Sequence, residues 1–188
     1  MTKIYLAGPD VFLPKPLEMS RQRKDICTQY GLTGLFPLDN EVDLKAKDAS
    51  LKIFHSNETL MKEADAIIAN LTPFRGPSAD AGTVYELGYM AGRGKLCLGY
   101  SNDPSLYAER VARSIDVRNN GHHLIDASDL TVENFGLADN LMIVQGLELY
   151  GCPLIVPRTA PADIWHDLTS FEACVRLAAA RLTPPASG

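Results

Sequence analysis

The sequence predicts an α/β protein, a doubly wound sandwich with helices on both faces of a mostly parallel sheet. Three observations carry that expectation. Residues 65–100 (DAIIANLTPFRGPSADAGTVYELGYMAGRGKLCLGY) read as strand, loop, helix and strand. Within them Ala66-Ile67-Ile68-Ala69 is a short apolar run of the kind that makes a parallel strand buried on both faces. With 188 residues, 46% of them hydrophobic and 22% charged, the chain has the material for one core. We expect a single domain over residues 1–182 and a flexible tail at 183–188.

Taken in order, residues 3–7 form the first strand and stop at Gly8-Pro9-Asp10, a turn without the spacing of a dinucleotide or triphosphate cradle. Pro16 can open a helix at its first turn, and this one runs to about residue 30 before Gly31. Residues 32–36 give a second strand with Pro37-Leu38-Asp39-Asn40 as its exit loop, rich in turn formers. A helix over 48–63 carries Ile53, Asn57, Leu60, Met61 and Ala64 at helical spacing. After the strand at 66–69, Gly76 and Pro77 punctuate a loop, a helix spans 80–93, and residues 96–100 form the next strand. Residues 101–135 are polar and weakly periodic, the pattern of a long lid or interface loop. Residues 141–149 look helical or mixed, 153–156 suit an edge strand, and Thr169-x-x-Glu172 caps a last helix over 170–182. The expected fold is thus flavodoxin-like, with five mostly parallel strands.

Composition excludes some functions. A net charge of −5 and a pI near 5.3 argue against a nucleic-acid binder. The sequence shows no membrane-length apolar run and no signal-peptide pattern, so the cytoplasm is the default expectation. Cys27, Cys97, Cys152 and Cys174 form no CxxC pair and read as reduced core residues. His122-His123 are adjacent, so their side chains diverge, and no acidic or cysteine partner is spaced to help them hold a metal.

Two carboxylates stand at the loop-to-helix entry of 65–100. Asp80 sits where an N-cap would, and Thr83-x-x-Glu86 matches a capping box. On a helical wheel Val84, Leu87, Gly88 and Ala91 make the sheet-facing side, which leaves Glu86 roughly opposite, among Tyr85, Tyr89 and Met90. Two readings follow from chemistry alone: a cap with a surface charge, or a functional carboxylate under a second cover.

A set of short motifs runs through the chain: Ile4-Tyr5-Leu6-Ala7-Gly8-Pro9 with Val11-Phe12, Pro37-Leu38-Asp39-Asn40-Glu41, and Asp65-Ala66 followed by Ala69-Asn70-Leu71-Thr72-Pro73-Phe74-Arg75-Gly76. Asp80-Ala81-Gly82-Thr83, Glu86-Leu87-Gly88, Asn134-Phe135-Gly136-Leu137 and Asn140-Leu141-Met142 complete the set. In these pieces, which stand in family order across most of residues 3–150, the chain resembles the nucleoside 2-deoxyribosyltransferases, most of all their purine-handling protozoan members.

That resemblance implies a 2-deoxyribosyl group moved between nucleobases, with purines preferred, through a covalent intermediate on Glu86 and net retention. It makes Tyr5 the hydroxyl that holds the nucleophile, and Asp80 and Asn140 the partners of the sugar hydroxyls. It places Gly8, Phe12, Asp39, Glu41 and Asn57 against the substrate. Asn57 stands where many relatives carry a proton-donating aspartate; an amide donates a hydrogen bond but cannot ionise. Glu41 stands where base-promiscuous relatives carry glutamine, and a carboxylate that only accepts suits the N–H edge of hypoxanthine or guanine. Nucleotide-hydrolysing relatives meet a 5′-phosphate with hydroxyl residues and an arginine after the first strand; Pro9-Asp10-Val11 supplies neither, so free nucleosides are the expected substrates. The implied partners are deoxynucleosides, free nucleobases and further copies of the chain, with Asn140 reaching a neighbouring site; no cofactor is implied. An N-glycoside hydrolase on the same site and a non-catalytic nucleotide-sensing module are the alternatives.

Overall fold

The computed structural model describes residues 1–40 and 42–182. Glu41 and the tail at 183–188 lie outside the described residues.

Four strands form the main sheet: β1 (Lys3–Ala7), β2 (Thr33–Leu35), β3 (Ala66–Asn70) and β4 (Leu96–Tyr100). They lie in the order β2-β1-β3-β4, all parallel. Strand alternation sorts the core into two layers, because successive side chains point to opposite faces. Ile4, Leu6, Ala66, Ile68, Leu98 and Tyr100 point to one face. There they pack with Cys27 of α1 (Pro16–Gln29) and with Phe171, Cys174 and Val175 of α6 (Thr169–Leu182). Tyr5, Ala7, Ile67 and Ala69 point to the other. That side is covered by α2 (Ala49–Glu63), α3 (Ala81–Gly92) and α5 (Leu141–Tyr150), through Leu60, Met61, Leu87, Met90, Ile143 and Leu147. The doubly wound expectation holds.

The expected fifth strand is interrupted. Residues 151–155 run parallel to β4 with two isolated bridges, Cys97 to Gly151 and Tyr100 to Ile155. Ile155 N donates to Gly99 O at 3.0 Å and Ser101 N donates to Ile155 O at 2.9 Å. Between the bridges Pro153 has no N–H to give a ladder. Gly151 meets the neighbouring backbone so closely that a Cβ there would stand 1.5 Å from Cys97 O.

The expectation of a long loop over 101–135 is corrected. The stretch contains α4 (Tyr107–Ser114) and a small antiparallel sheet of β5 (Val117–Asn119), β6 (Leu124–Asp126) and β7 (Thr131–Val132). Strands of two or three residues are too short to show a period in sequence. All four cysteines are free and buried, and His122 and His123 are exposed. Among the described residues no cluster of metal-ligating side chains occurs, and no helix is long and apolar enough to cross a membrane.

Candidate active site

In an open parallel sheet the chain leaves β1 and β3 in opposite directions, and the crevice beyond their carboxyl ends is where ligands bind. Here Gly8 leaves β1 and Leu71-Thr72 leave β3. The turn after β1 is built on a buried polar group. Asp10, fully buried, accepts from Arg23 Nη2 at 2.7 Å and from Asn70 Nδ2 at 3.2 Å. Arg23 in turn reaches the Tyr100 hydroxyl. A buried charge needs such partners, since an isolated one costs far more than a hydrogen bond returns. Any side chain at Gly8 would collide with this group, its Cβ meeting Asp10 Oδ2 at 2.3 Å and Asn70 Cβ at 2.7 Å.

Glu86 lies on α3 and Tyr5 in the middle of β1, and the fold joins them: Tyr5 Oη donates to Glu86 Oε1 at 2.6 Å. The wheel expectation for α3 is corrected by about a quarter turn. Its buried residues are Thr83, Leu87 and Met90; Val84 and Ala91 are half-buried against the same core, and Gly88 is exposed. Thr83 can be buried because its hydroxyl is satisfied locally, donating to Asp80 Oδ2 at 3.0 Å beside the N-cap bond from Thr83 N at 2.9 Å. That rotation brings Glu86 to the flank of the buried stripe and out of open solvent.

The carboxyl is half-buried, and desolvation pushes its pKa up to about 7. The Tyr5 hydroxyl opposes that rise, the nearby Asp80 charge adds to it, and the Asn57 side chain on α2 lowers it. Tyr5 itself is raised well above the usual phenol range, first by its own burial and then by Glu86, so it remains a donor at every working pH. Asn57 is half-buried against Glu86, and its Oδ1 is buried without a hydrogen-bond partner among the described residues. Tyr5, Asn57, Asp80 and Glu86 therefore form one group.

A model of the nucleoside 2-deoxyribosyltransferases matches residues 4–142, well over half of the chain. The chain belongs to that family. A 2-deoxyribosyltransferase from Leishmania mexicana is similar in structure, with a TM-score of 0.67, 30% identity and 97% of this chain against 99% of that one. A conserved protein from Enterococcus faecalis shares the fold at a TM-score of 0.57 and 19% identity, covering 94% of this chain and 98% of that one. An uncharacterised protein of Schizosaccharomyces pombe is 39% identical over 113 residues, 57% of this chain. This family member spans about half the length of that curated relative, 54%.

The other expected site residues of this deoxyribosyltransferase-family chain are held by partners of their own. Asp39 accepts from Phe36 N at 2.8 Å and pairs with Lys24. Asn40 Nδ2 donates to Ser56 Oγ at 2.8 Å, which ties the loop after β2 to α2 one residue before Asn57. Phe12 is stacked on Phe74 with ring centroids 5.4 Å apart, and Trp165 meets Phe74 edge-on at 5.9 Å. Asn140 caps α5, accepting from Met142 N at 3.0 Å, and donates to Glu133 Oε1 at 2.7 Å. The Asp10–Arg23 pair was not among the expected site residues. Its signal was present: Arg23 falls between Met19 and Cys27 on the buried stripe of α1, where a charge needs a partner.

Proposed function

We propose that this protein transfers a 2-deoxyribosyl group between nucleobases, with Glu86 as the nucleophile. The observation that carries the reading is the Tyr5–Glu86 hydrogen bond, which joins β1 to the helix after β3; burial of the carboxyl raises its pKa to about 7. An N-glycosidic bond breaks through an oxocarbenium-like transition state, which an adjacent carboxylate stabilises. A Glu86 oxygen then bonds the anomeric carbon as the bond to the base nitrogen breaks, and the purine leaves as its anion and takes a proton from water. A second base attacks the same carbon from the vacated side and releases Glu86, so configuration is retained. Tyr5 holds the carboxylate in place, Asp80 binds the sugar hydroxyls, and Asn57 fixes Glu86 and the departing base edge by hydrogen bonds. Gly8, Phe12 and Asp39 shape the substrate side, and Glu41 selects purines through its acceptor-only carboxylate.

The working form is a homo-oligomer. The α3 and α5 helices flank an apolar groove of about 400 Å³, lined in part by Val84, Gly88, Ala91, Met142, Gly146 and Tyr150. Met142 is 75% exposed and Tyr150 50%. A second copy covering this face brings its Asn140, at the start of α5, toward the first copy's sugar site.

The deciding experiment incubates stoichiometric protein with deoxyinosine, with and without adenine. Transfer gives deoxyadenosine only with the acceptor, and a burst of hypoxanthine matching the enzyme in its absence. Steady release of free deoxyribose at the same rate in both arms makes the protein a hydrolase. No release in either arm makes it a binding module.

A further inference from the structure

Around the entry to α3, the loop that delivers Asp80 and the loop that delivers Asn140 meet on one buried ion pair outside the Glu86 group. Arg110, on α4, is 5% exposed, and Asp139 is 2% exposed. The guanidinium spends its donors on three carbonyls of separate segments. Nε donates to Pro77 O at 2.7 Å, Nη1 to Ser105 O at 2.5 Å and Nη2 to Ala138 O at 2.5 Å. Nη2 also stands 3.6 Å from Asp139 Oδ2. The Asp139 carboxylate is filled in the same way. Oδ2 accepts from Ala79 N at 3.0 Å, and Oδ1 accepts from the Ser78 hydroxyl and from Asn140 N at 2.8 Å. Three consecutive residues before Asp80 are thereby tied to the two residues before Asn140.

We infer that Arg110 and Asp139 are positioning residues, a clamp that sets the places of Asp80 and Asn140 for the sugar. The inference rests on the proposed transfer reaction for its kinetic consequence and on the hydrogen-bond geometry for the clamp itself. Lysine cannot replace this arginine: an ammonium has no planar fork to meet three carbonyls and a carboxylate at once. The arrangement also gives α4 a purpose. It is an eight-residue helix in the stretch between β4 and the Asn140 loop, and its buried Arg110 bonds both the Asp80 loop at Pro77 and the Asn140 loop at Ala138.

The test compares wild type with Arg110→Lys and Asp139→Asn, the second nearly isosteric and chosen in case the first fails to fold. Two readouts are taken on folded protein: base-exchange kinetics with deoxyinosine and adenine, and hydrogen exchange of the 76–80 and 139–141 backbone amides. The clamp predicts faster exchange at both segments together. It predicts a roughly tenfold or larger fall in kcat/KM, chiefly as a higher KM for the nucleoside, since sugar contacts serve ground and transition state alike. A residue that only supported folding would lower the folded fraction and leave KM and local exchange of the remainder unchanged. Wild-type KM with wild-type protection at both segments in either folded variant overturns the inference. Wild-type protein that exchanges no bases overturns the transfer reading instead, and the hydrogen-exchange arm then decides the clamp by itself.

Discussion

Replacing Tyr5 by phenylalanine removes one hydroxyl and leaves the packing, since the ring is fully buried in the layer beneath α2 and α3. Glu86 Oε1 loses a donor at 2.6 Å, one of the two groups that hold its pKa down against burial. A hydrogen bond to a charged group contributes about 1.5–3 kcal/mol, and 1.36 kcal/mol corresponds to one pKa unit, so the carboxyl rises by roughly 1–2 pH units. The reaction needs the carboxylate, so kcat/KM climbs with pH through the free-enzyme pKa, about 7 in wild type. In Tyr5→Phe that midpoint moves up. At pH 7 the ionised fraction falls from about a half to roughly 1–10%, and kcat/KM for deoxyinosine falls about 5- to 50-fold. Much of the loss returns at high pH, where Glu86 is ionised without help. The assay is base exchange from pH 5.5 to 9.5 on both proteins. A midpoint that stays at the wild-type value, whatever happens to the rate, refutes the assignment of Tyr5 as the hydroxyl that holds an ionising Glu86.

Glu86→Ala should abolish base exchange in folded protein, measured by deoxyadenosine formation; near-normal turnover returns Glu86 to a surface role. Glu86→Gln should also stabilise the fold at neutral pH. The folded pKa of Glu86 lies above its ordinary value of 4.5, so ionisation weakens the wild-type fold as pH rises from there to about 7. The gain in the variant grows across that window and levels off above it at no more than about 3 kcal/mol, read as the difference in unfolding midpoint at pH 5 and pH 8. Glu41→Gln should relax purine preference in a panel of purine and pyrimidine donors, and equal use of thymidine and deoxyinosine by wild type removes that role. Met142→Glu places a charge in the apolar groove between α3 and α5, so the oligomer should dissociate in sedimentation velocity and base exchange should fall with it. A monomer that keeps full exchange shows that Asn140 is not supplied by a neighbour.

Much of the fold was legible because its elements obey short-range rules. The strands at 3–7 and 66–70 are apolar runs closed by glycine or by a polar exit, and the helices opening near Pro16 and Asp80 carry recognisable first turns. What sequence could not give was the orientation of α3. Thr83 scores as polar, yet its hydroxyl closes on Asp80 and lets the residue turn inward, carrying Glu86 with it. Arg110 was hidden for a related reason. In sequence it is one charge in a polar stretch, and only the approach of residues 77, 105 and 138 makes a buried fork of it. Asn140 was legible as a family motif residue, whereas its bond to Glu133 depends on the small antiparallel sheet that periodicity does not reveal.

The broken strand beside β4 bears on how copies of this chain can meet. An exposed sheet margin is a template for another chain's strand, and proteins that avoid such growth shorten or interrupt their outermost strands. One margin here is β2, only three residues long. The other is occupied by residues 151–155, which touch β4 at two points and carry Pro153 between them. Neither margin is a long, regular strand, the form that templates pairing between molecules. For the proposed oligomer that leaves helical surfaces such as the α3–α5 face, which fit by shape and close into complexes of fixed size.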